Sequence, residues 1–286
     1  MKKLFFSINM LAVTAATMSA QTPVTEGYKR TPKGLWYKIV IDAKKSKSSL
    51  GDIIKLSATY ATQRDSILFS TYQQGMGPVQ FTVAAPTFNG DPMEGFAMLG
   101  EGDSAVFLMP VDSAFKSQPM PPFVKKGEFF KIGVTVLSVM NKEQYEKQKA
   151  EEAQMQSLQE SKTIEEYLGK NNLHAQKTPS GLYYIIEKQG DGAKVVLGDS
   201  VKVGYTGKFL DGKVFDSSHN PGRTPYTFKL GTNPVIQGWV EGLQLFNVGG
   251  KGMLLIPSAL GYGIRGRGEI PPNTILIFDI EVLKVE

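Results

Sequence analysis

The sequence predicts an α+β protein made of two copies of one domain, each an antiparallel sheet that wraps around one short helix. Three observations predict this fold class. Landmark residues repeat at a constant spacing, short stretches of alternating apolar residues indicate strands, and one amphipathic helix interrupts them. The chain has 286 residues and a hydrophobic content of 41%, which is enough for two separate cores.

The internal repeat has a constant offset. The segment "TPKGLWYKIV" begins at Thr31 and resembles "TPSGLYYIIE", which begins 147 residues later at Thr178. A register held over many landmarks predicts two domains, at residues 28–140 and 176–286. Further pairs at this offset are Gly51-Asp52 with Gly198-Asp199, Pro78 with Pro225, Phe81 with Phe228, Glu94-Gly95 with Glu241-Gly242, and Pro110 with Pro257.

Strands dominate the second copy. In "SVKVGYTG" the apolar residues Val201, Val203 and Tyr205 alternate, which is typical of a strand with one buried face. Asp211-Gly212 follows and is a strong hairpin signal, because both positions tolerate positive φ. The returning segment "KVFDSS" is therefore expected to bring Asp216 back beside the first strand.

One helix is predicted in each copy. In "IQGWVEGLQLFN" the residues Trp239, Leu243 and Phe246 recur at helical spacing and form one apolar face. In the first copy, Asp91-Pro92 matches a helix N-cap followed by a proline at the first helical position. The two copies therefore share the helix as well as the strands.

Residues 141–175 predict a helical linker between the two domains. Asn141 and Gln144 have the spacing of a capping box at its start. Two roles stay open: a solvated spacer, or a helix that packs on a domain or dimerises, which includes a homodimer through residues 28–175. The apolar stripe of this helix is thin and consists of Tyr145, Met155 and Leu158.

Residues 1–20 predict a secretory signal peptide. Two lysines precede a short apolar run that ends in the small residues Ser19 and Ala20. No later run is long and apolar enough for a membrane span. The chain has no cysteine, which excludes disulfides, thiol nucleophiles and lipid attachment at a cysteine. We expect a soluble periplasmic protein, with secretion into the medium as the alternative.

Several function classes are not supported. The net charge of +5 falls to +3 without the predicted signal peptide, and no basic run with interleaved aromatic residues indicates nucleic acid binding. The segment "GYGIRG" at 261–266 fits a dinucleotide motif, but Pro271-Pro272 prevents the helix that such a site requires. His174 and His219 have no spacing for a metal or a catalytic triad. We expect no cofactor and no metal.

Three segments of the second copy resemble a known family. They are "VGYTGKFLDGKVFDSS", "PYTFKLGTNPVIQGWVEGL" and "LGYGIRGRGEIPPNTILIFDIEVLKVE", in that order. Together they are similar to FKBP-type peptidyl-prolyl cis-trans isomerase domains over nearly all of residues 178–286. The whole chain resembles exported bacterial members with two such domains. The resemblance implies an antiparallel half-barrel around one short helix.

The resemblance also implies a pocket for a proline ring. Asp216 is expected to accept a hydrogen bond from the Tyr205 hydroxyl and to face the rotating amide. The Ile236 backbone N–H and the Tyr262 hydroxyl are expected to hold substrate carbonyls. The other residues of the predicted pocket are Trp239 as its floor, Phe215, Tyr226, Phe228 and Phe278 as its apolar lining, Val235 beside Ile236, and Ile270 in the loop over the entrance.

Two positions depart from the family pattern. Tyr226 replaces a phenylalanine that is common there, and Glu269 stands where an apolar residue is frequent, before Ile270. These differences bear on which peptides are preferred.

The first copy has lost the predicted pocket. At the constant offset only Phe81, opposite Phe228, is retained among the pocket residues. We expect residues 28–140 to keep the fold without isomerase activity, and to hold unfolded clients, dock on the second domain or dimerise. The replaced pairs are Tyr205 with Ala58, Phe215 with Leu68, Asp216 with Phe69, Tyr226 with Val79, Trp239 with Pro92, and Tyr262 with Phe115.

The sequence therefore predicts a prolyl isomerase that assists the folding of exported proteins and acts on unfolded or proline-containing polypeptides. Rotation about a peptide bond cleaves nothing, so the lack of a recognisable nucleophile or cofactor site is consistent with this activity. The alternative is a chaperone or binding module that keeps the fold but turns over little.

Overall fold

The computed structural model describes residues 24–286, except residue 74 and residues 233–234. The predicted signal peptide at residues 1–20 lies outside the described residues. The chain divides into two compact units, Met1–Lys147 and Gln148–Glu286. Each unit contains one seven-stranded sheet in which all described strand pairs are antiparallel.

The first sheet has the order β1-β2-β6-β7-β3-β4, and β5 pairs with β3. Helix α1 begins after Asp91, whose carboxylate accepts a hydrogen bond from the Met93 N–H, with Pro92 at the first helical position. This confirms the predicted cap. The elements are β1 (Lys29–Arg30), β2 (Trp36–Ile41), β3 (Ile53–Thr62), β4 (Ile67–Ser70), β5 (Val79–Thr82), α1 (Pro92–Phe96), β6 (Ser104–Pro110), α2 (Val111–Ala114) and β7 (Phe129–Met140).

Helix α3 (Lys142–Lys170) follows the first sheet. Its start has the predicted capping box: the Gln144 N–H donates to the Asn141 side chain, and the Asn141 N–H donates to the Gln144 side chain. These two reciprocal hydrogen bonds satisfy donors that the first helical turn leaves without backbone partners.

The second sheet has the order β8-β9-β13-β14-β10-β11, and β12 pairs with β10, which is the topology of the first sheet. Three single-turn 3₁₀ helices lie in its connections, at Leu243–Leu245, Ser258–Leu260 and Gly263–Arg265. The elements are β8 (Gln176–Lys177), β9 (Tyr183–Lys188), β10 (Ser200–Lys208), β11 (Val214–Ser217), β12 (Tyr226–Lys229), α4 (Gln237–Gly242), β13 (Lys251–Ile256) and β14 (Leu276–Val285).

The offset between the two copies changes before the last strand. Phe107 pairs with Ile132 in the first sheet, while Leu254, which is 147 residues after Phe107, pairs with Phe278 in the second. Ile132 and Phe278 are therefore structural counterparts, although they are 146 residues apart. One residue fewer separates these strands in the second copy, so the gapless repeat predicted from the sequence ends before β14.

Helix α4 packs closely on the second sheet. Trp239, Leu243 and Phe246 are all buried in the core of this unit, as predicted. The predicted helix is shorter, because Leu243 lies in a 3₁₀ turn after α4 and Phe246 follows that turn in an extended conformation. Gly242 permits this contact: a Cβ atom there would lie 2.4 Å from a side-chain carbon of Leu254. Glycine therefore sets the distance between helix and sheet.

The C-terminal half of α3 packs on the second unit at a place the sequence pattern did not predict. Met155 and Leu158 are exposed, at 67% and 59% of their surface. Ile164 and Leu168 are buried instead, in a cluster with Leu255 that includes the outer face of β13 and β14. In the described part of the chain, no helix has the length and hydropathy to cross a membrane.

Candidate active site

A hairpin between β10 and β11 places the acidic residue of the site. Asp216 lies opposite Gly207, and the register shifts between Gly207 and Lys208. In the turn, the Gly212 N–H donates to the Phe209 carbonyl at 3.0 Å, and only Gly212, with φ of +87°, has positive φ. Asp211 keeps negative φ, and its side chain accepts a hydrogen bond from the Lys213 N–H. The hairpin therefore forms where predicted, with a different turn geometry.

The Asp216 carboxylate is held by two donors. The Tyr205 hydroxyl donates to Oδ2 at 2.7 Å, and the Arg223 guanidinium contacts Oδ1 at 3.1 Å. Burial raises the pKa of Tyr205 to about 12, and the hydrogen bond to Asp216 acts in the same direction. Tyr205 is therefore a neutral hydroxyl at physiological pH, and both carboxylate oxygens have fixed orientations.

Four aromatic rings converge beside this carboxylate. Trp239 contacts Tyr205 and Phe278 edge to face, with ring centroids 5.1 and 5.2 Å apart. Phe215 meets Phe278 in the same manner at 5.6 Å. Trp239 and Phe278 are 5% and 4% exposed, whereas Tyr205 and Phe215 are half-buried. The cluster therefore has a buried floor and a rim that water reaches.

A second pair of rings extends the cluster. Phe228 is buried, and its ring centroid lies 5.8 Å from that of Trp239. Tyr226 stacks on Phe228 at 5.0 Å and is 42% exposed. Phe228 thus packs against Trp239 inside the core, and Tyr226 lies at the exposed edge of the ring cluster.

The start of α4 contributes backbone and apolar groups. Ile236 is the N-cap residue of the helix, and both Val235 and Ile236 are half-buried against the core that contains Trp239. The Ile236 N–H makes no hydrogen bond to another described residue. The first N–H groups of a helix have no partner within the helix, so this N–H is a candidate donor to a substrate carbonyl.

The loop between β13 and β14 contributes Tyr262 and Ile270. Ile270 is buried, Tyr262 is half-buried, and both pack against the Trp239 core. Arg267 and Ile270 exchange two backbone hydrogen bonds of 2.9 Å, and the Arg267 guanidinium lies 5.7 Å from the centre of the Tyr262 ring. The motif "GYGIRG" thus forms a tight loop over the site, and no α-helix follows it among the described residues.

Two further features distinguish the ring cluster. The Trp239 indole nitrogen is the one buried side-chain nitrogen or oxygen, within the described residues, that lacks a hydrogen-bond partner. Gly207 lets two rings approach the backbone of β10: a Cβ there would lie 2.7 Å from the Phe215 ring and 2.8 Å from the Phe278 ring. Any side chain at this position would displace one or both rings.

The first unit has different residues at the corresponding positions. Ala58 is the counterpart of Tyr205, and Tyr60 is the counterpart of Gly207, so the large and small residues are exchanged along the strand. The Tyr60 ring stacks on Phe130 with centroids 4.9 Å apart, and burial raises its pKa. The position of Trp239 is occupied by the buried Pro92.

Sequence reasoning missed four residues of this site. Arg223 and Arg267 come from irregular loops, where no periodic pattern marks a residue that contacts a distant side chain. Phe209 contacts Phe215 at a centroid distance of 5.0 Å and precedes the Asp211-Gly212 turn, which was the available signal. Gly207 becomes informative only once the two rings beside it are known.

The second unit matches a described family. Residues 192–283 match the model of FKBP-type peptidyl-prolyl cis-trans isomerases. The isomerase FkpA of Aeromonas hydrophila is 47% identical over 136 residues, which are 47% of this chain and 50% of that protein. The crystal structure of AtFKBP13 is 40% identical, with a TM-score of 0.37, and the match covers 40% of this chain and 99% of the other.

A further solved structure, FkpA from Escherichia coli, is 35% identical with a TM-score of 0.39, over 52% of this chain and 75% of that one. The chain spans about half the length of the curated relatives it matches. The family resemblance predicted from the sequence is confirmed by these matches.

Proposed function

Since the chain belongs, through its second unit, to the FKBP-type peptidyl-prolyl cis-trans isomerase family, we propose that it accelerates rotation about X–Pro peptide bonds in exported polypeptides. The observation that carries this proposal is the convergence of Trp239, Tyr205 and Phe278 around a carboxylate that two donors hold in place.

The reaction needs a site that binds a distorted amide. Rotation must break the resonance of the C–N bond, which costs about 18–20 kcal/mol. Both isomers of an X–Pro bond are populated, and their uncatalysed exchange takes about 10–100 s. A site that binds the twisted amide more tightly than either planar form lowers this barrier.

The ring cluster supplies such a site in two ways. Trp239 and Phe278 present apolar surface to a proline ring, and their burial keeps water from the amide. Water stabilises the planar, polar ground state by hydrogen bonding, so its exclusion favours the twisted state. The Ile236 N–H and the Tyr262 hydroxyl then orient the carbonyls of the peptide.

The fixed carboxylate adds an electrostatic contribution. Asp216 is held between Tyr205 and Arg223 before substrate binds, so it needs no reorganisation during the rotation. A preorganised charge at the edge of an apolar site interacts more strongly with the amide than the same charge in water.

A second candidate function is a chaperone or binding module with little turnover. The first unit favours it, because that unit keeps the sheet topology while Tyr60, stacked on Phe130, stands where the second unit has Gly207. In this alternative the first unit would hold unfolded clients or pair with a second copy, and the second unit would bind proline without accelerating exchange.

The compartment follows from the N-terminal segment. The charged and apolar pattern of residues 1–20 supports export, and the lack of cysteine is compatible with an oxidising compartment. We place the protein in the periplasm, with unfolded, proline-containing polypeptides as its clients.

The chain contains two tryptophans, which gives a matched test. Exchange spectroscopy on a short Leu-Pro peptide would compare Trp239→Leu with Trp36→Leu in the full chain. Truncating a buried tryptophan at a binding surface costs roughly 2 kcal/mol or more, so kcat/KM should fall about thirtyfold in Trp239→Leu. Trp36→Leu should keep the wild-type rate. If neither variant nor the wild type accelerates exchange, the chaperone function is the correct one.

A further inference from the structure

A buried carboxylate on helix α3 reaches the loop that carries Tyr262. Glu160 is 4% exposed and accepts two hydrogen bonds from Ser258, from its N–H at 2.8 Å and from its hydroxyl at 2.5 Å. The Gln156 side-chain amide donates to the same carboxylate at 2.6 Å. A buried charge is costly unless donors surround it, so this contact has a definite geometry.

Ser258 begins the segment that ends at Tyr262. It is the first residue of the 3₁₀ helix Ser258–Leu260, and its carbonyl accepts a hydrogen bond from the Gly261 N–H at 2.9 Å. The Leu260 N–H donates to the Pro257 carbonyl at 3.0 Å. Fixing Ser258 therefore fixes the backbone up to the residue before Tyr262.

The helix is itself held in place on the second unit. Ile164 is completely buried against β13 and β14, and the Tyr183 hydroxyl donates to Glu165 at 2.8 Å. Glu160 lies one turn before Ile164, on the same face. A helix docked in this manner gives its carboxylate a fixed position relative to Ser258.

In the first unit, the backbone N–H that corresponds to that of Ser258 has a hydrogen-bond partner that does not come from a helix. Val111 is the counterpart of Ser258, and its N–H donates to the Glu128 carbonyl at 3.0 Å. The counterpart of Tyr262 is Phe115, whose ring lies 6.0 Å from that of Phe130 in the core. The helix carboxylate thus replaces a local carbonyl only in the unit that has the ring cluster and the tyrosine hydroxyl.

We propose that Glu160 is a positioning residue: through Ser258 it sets the place of Tyr262 at the edge of the pocket. This inference rests on the proposed isomerase function, since Tyr262 acts there on the substrate carbonyl. It assigns to helix α3 a part in catalysis.

The test compares Glu160→Gln with Glu166→Gln in the full chain. Both changes remove one carboxylate from α3. Glu166 is exposed and lies on the helix after Glu160, the residue that contacts Ser258. We expect kcat/KM for a Leu-Pro peptide to fall about threefold to tenfold in Glu160→Gln, because changes in a hydrogen-bond network couple to a site with this strength. Glu166→Gln should keep the wild-type value.

A double-mutant cycle separates positioning from general stability. If Glu160 acts through Tyr262, its replacement should have no further effect on kcat/KM in a Tyr262→Phe background. An equal loss in both backgrounds would overturn the proposal, as would a wild-type rate in Glu160→Gln. If the wild type itself fails to accelerate exchange, the proposed function is wrong.

Ser258→Ala provides a milder second variant. It removes the hydroxyl donor and keeps the backbone N–H, so it should fold if Glu160→Gln does not. Amide hydrogen exchange of Gly261 should accelerate at least about tenfold in this variant, together with a smaller loss of kcat/KM. Unchanged exchange and an unchanged rate would overturn the positioning role.

Discussion

Gly207 offers the sharpest perturbation of the pocket, because one added carbon acts directly on two of its rings. In Gly207→Ala the new Cβ would lie 2.7 Å from the Phe215 ring and 2.8 Å from the Phe278 ring. Comfortable carbon–carbon contacts are about 3.5–4.0 Å, so the rings must move by roughly 1 Å. Overpacking of this kind costs about 1–3 kcal/mol of folding free energy.

The effect on catalysis should be similar in free energy to the effect on stability. A displacement of 1 Å in groups that position a substrate costs up to about a hundredfold in rate. We therefore expect kcat/KM for a Leu-Pro peptide to fall about tenfold to a hundredfold, measured by exchange spectroscopy. Urea unfolding should show a folded protein with a reduced midpoint.

Gly204 supplies the matched control on the same strand. A Cβ at Gly204 meets its nearest neighbour, His219, at an ordinary 3.7 Å. Gly204→Ala should therefore keep both activity and stability. If Gly207→Ala is folded and as active as Gly204→Ala, the positions of the Phe215 and Phe278 rings do not determine catalysis.

Three further predictions concern the carboxylate, the tyrosine and the first unit. Asp216→Ala leaves the Tyr205 hydroxyl without its acceptor and should lower kcat/KM about tenfold. Arg223→Ala removes a half-exposed ion pair worth roughly 0.2–1 kcal/mol and should lower kcat/KM less than about fivefold. A larger loss in Arg223→Ala than in Asp216→Ala in the exchange assay would contradict the assigned roles. The pKa of Tyr205 is about 12 in the folded protein and 10.0 in the unfolded chain, so the free energy of unfolding should decline as the pH rises between these values. The decline should be smaller in Tyr205→Phe. Urea midpoints at pH 9 and 11.5 test this, and equal declines in both proteins would disprove it. The full chain with Asp216→Ala, Trp239→Leu and Tyr262→Phe together should leave the peptide exchange rate at its uncatalysed value. The first unit should not compensate, because the Tyr60 ring stands there in place of Gly207. Residual acceleration would locate activity in the first unit.

Local patterns predicted much of the fold. The spacing of Trp239, Leu243 and Phe246 predicted that all three are buried, although α4 ends at Gly242 and only Trp239 lies within it. The Asp91-Pro92 cap was predictable because a helix cap depends only on nearby residues. In α3 the pattern was misleading, since Ile164 and Leu168 became the buried residues only through a partner surface elsewhere in the chain.

Long-range pairings set the limits of the sequence analysis. The resemblance implied the contact between Tyr205 and Asp216, and the structure places these groups 2.7 Å apart. The contacts of Arg223 with Asp216 and of Glu160 with Ser258 join loops and elements that no spacing relates. Recognising that Ala58 and Tyr60 stand where the second unit has Tyr205 and Gly207 required the strand register. The register shows that a large and a small side chain change places between the two strands.

The most direct test observes the pocket and the reaction in one sample. A Leu-Pro peptide would be mixed with a small amount of wild-type protein, and two NMR signals would be followed: exchange between the cis and trans peptide resonances, and the indole N–H of Trp239, assigned by its loss in Trp239→Leu. We predict accelerated exchange together with a shift of the Trp239 signal and none of the Trp36 signal. An unchanged exchange rate, or a shift confined to Trp36, would contradict catalysis by the ring cluster of the second unit.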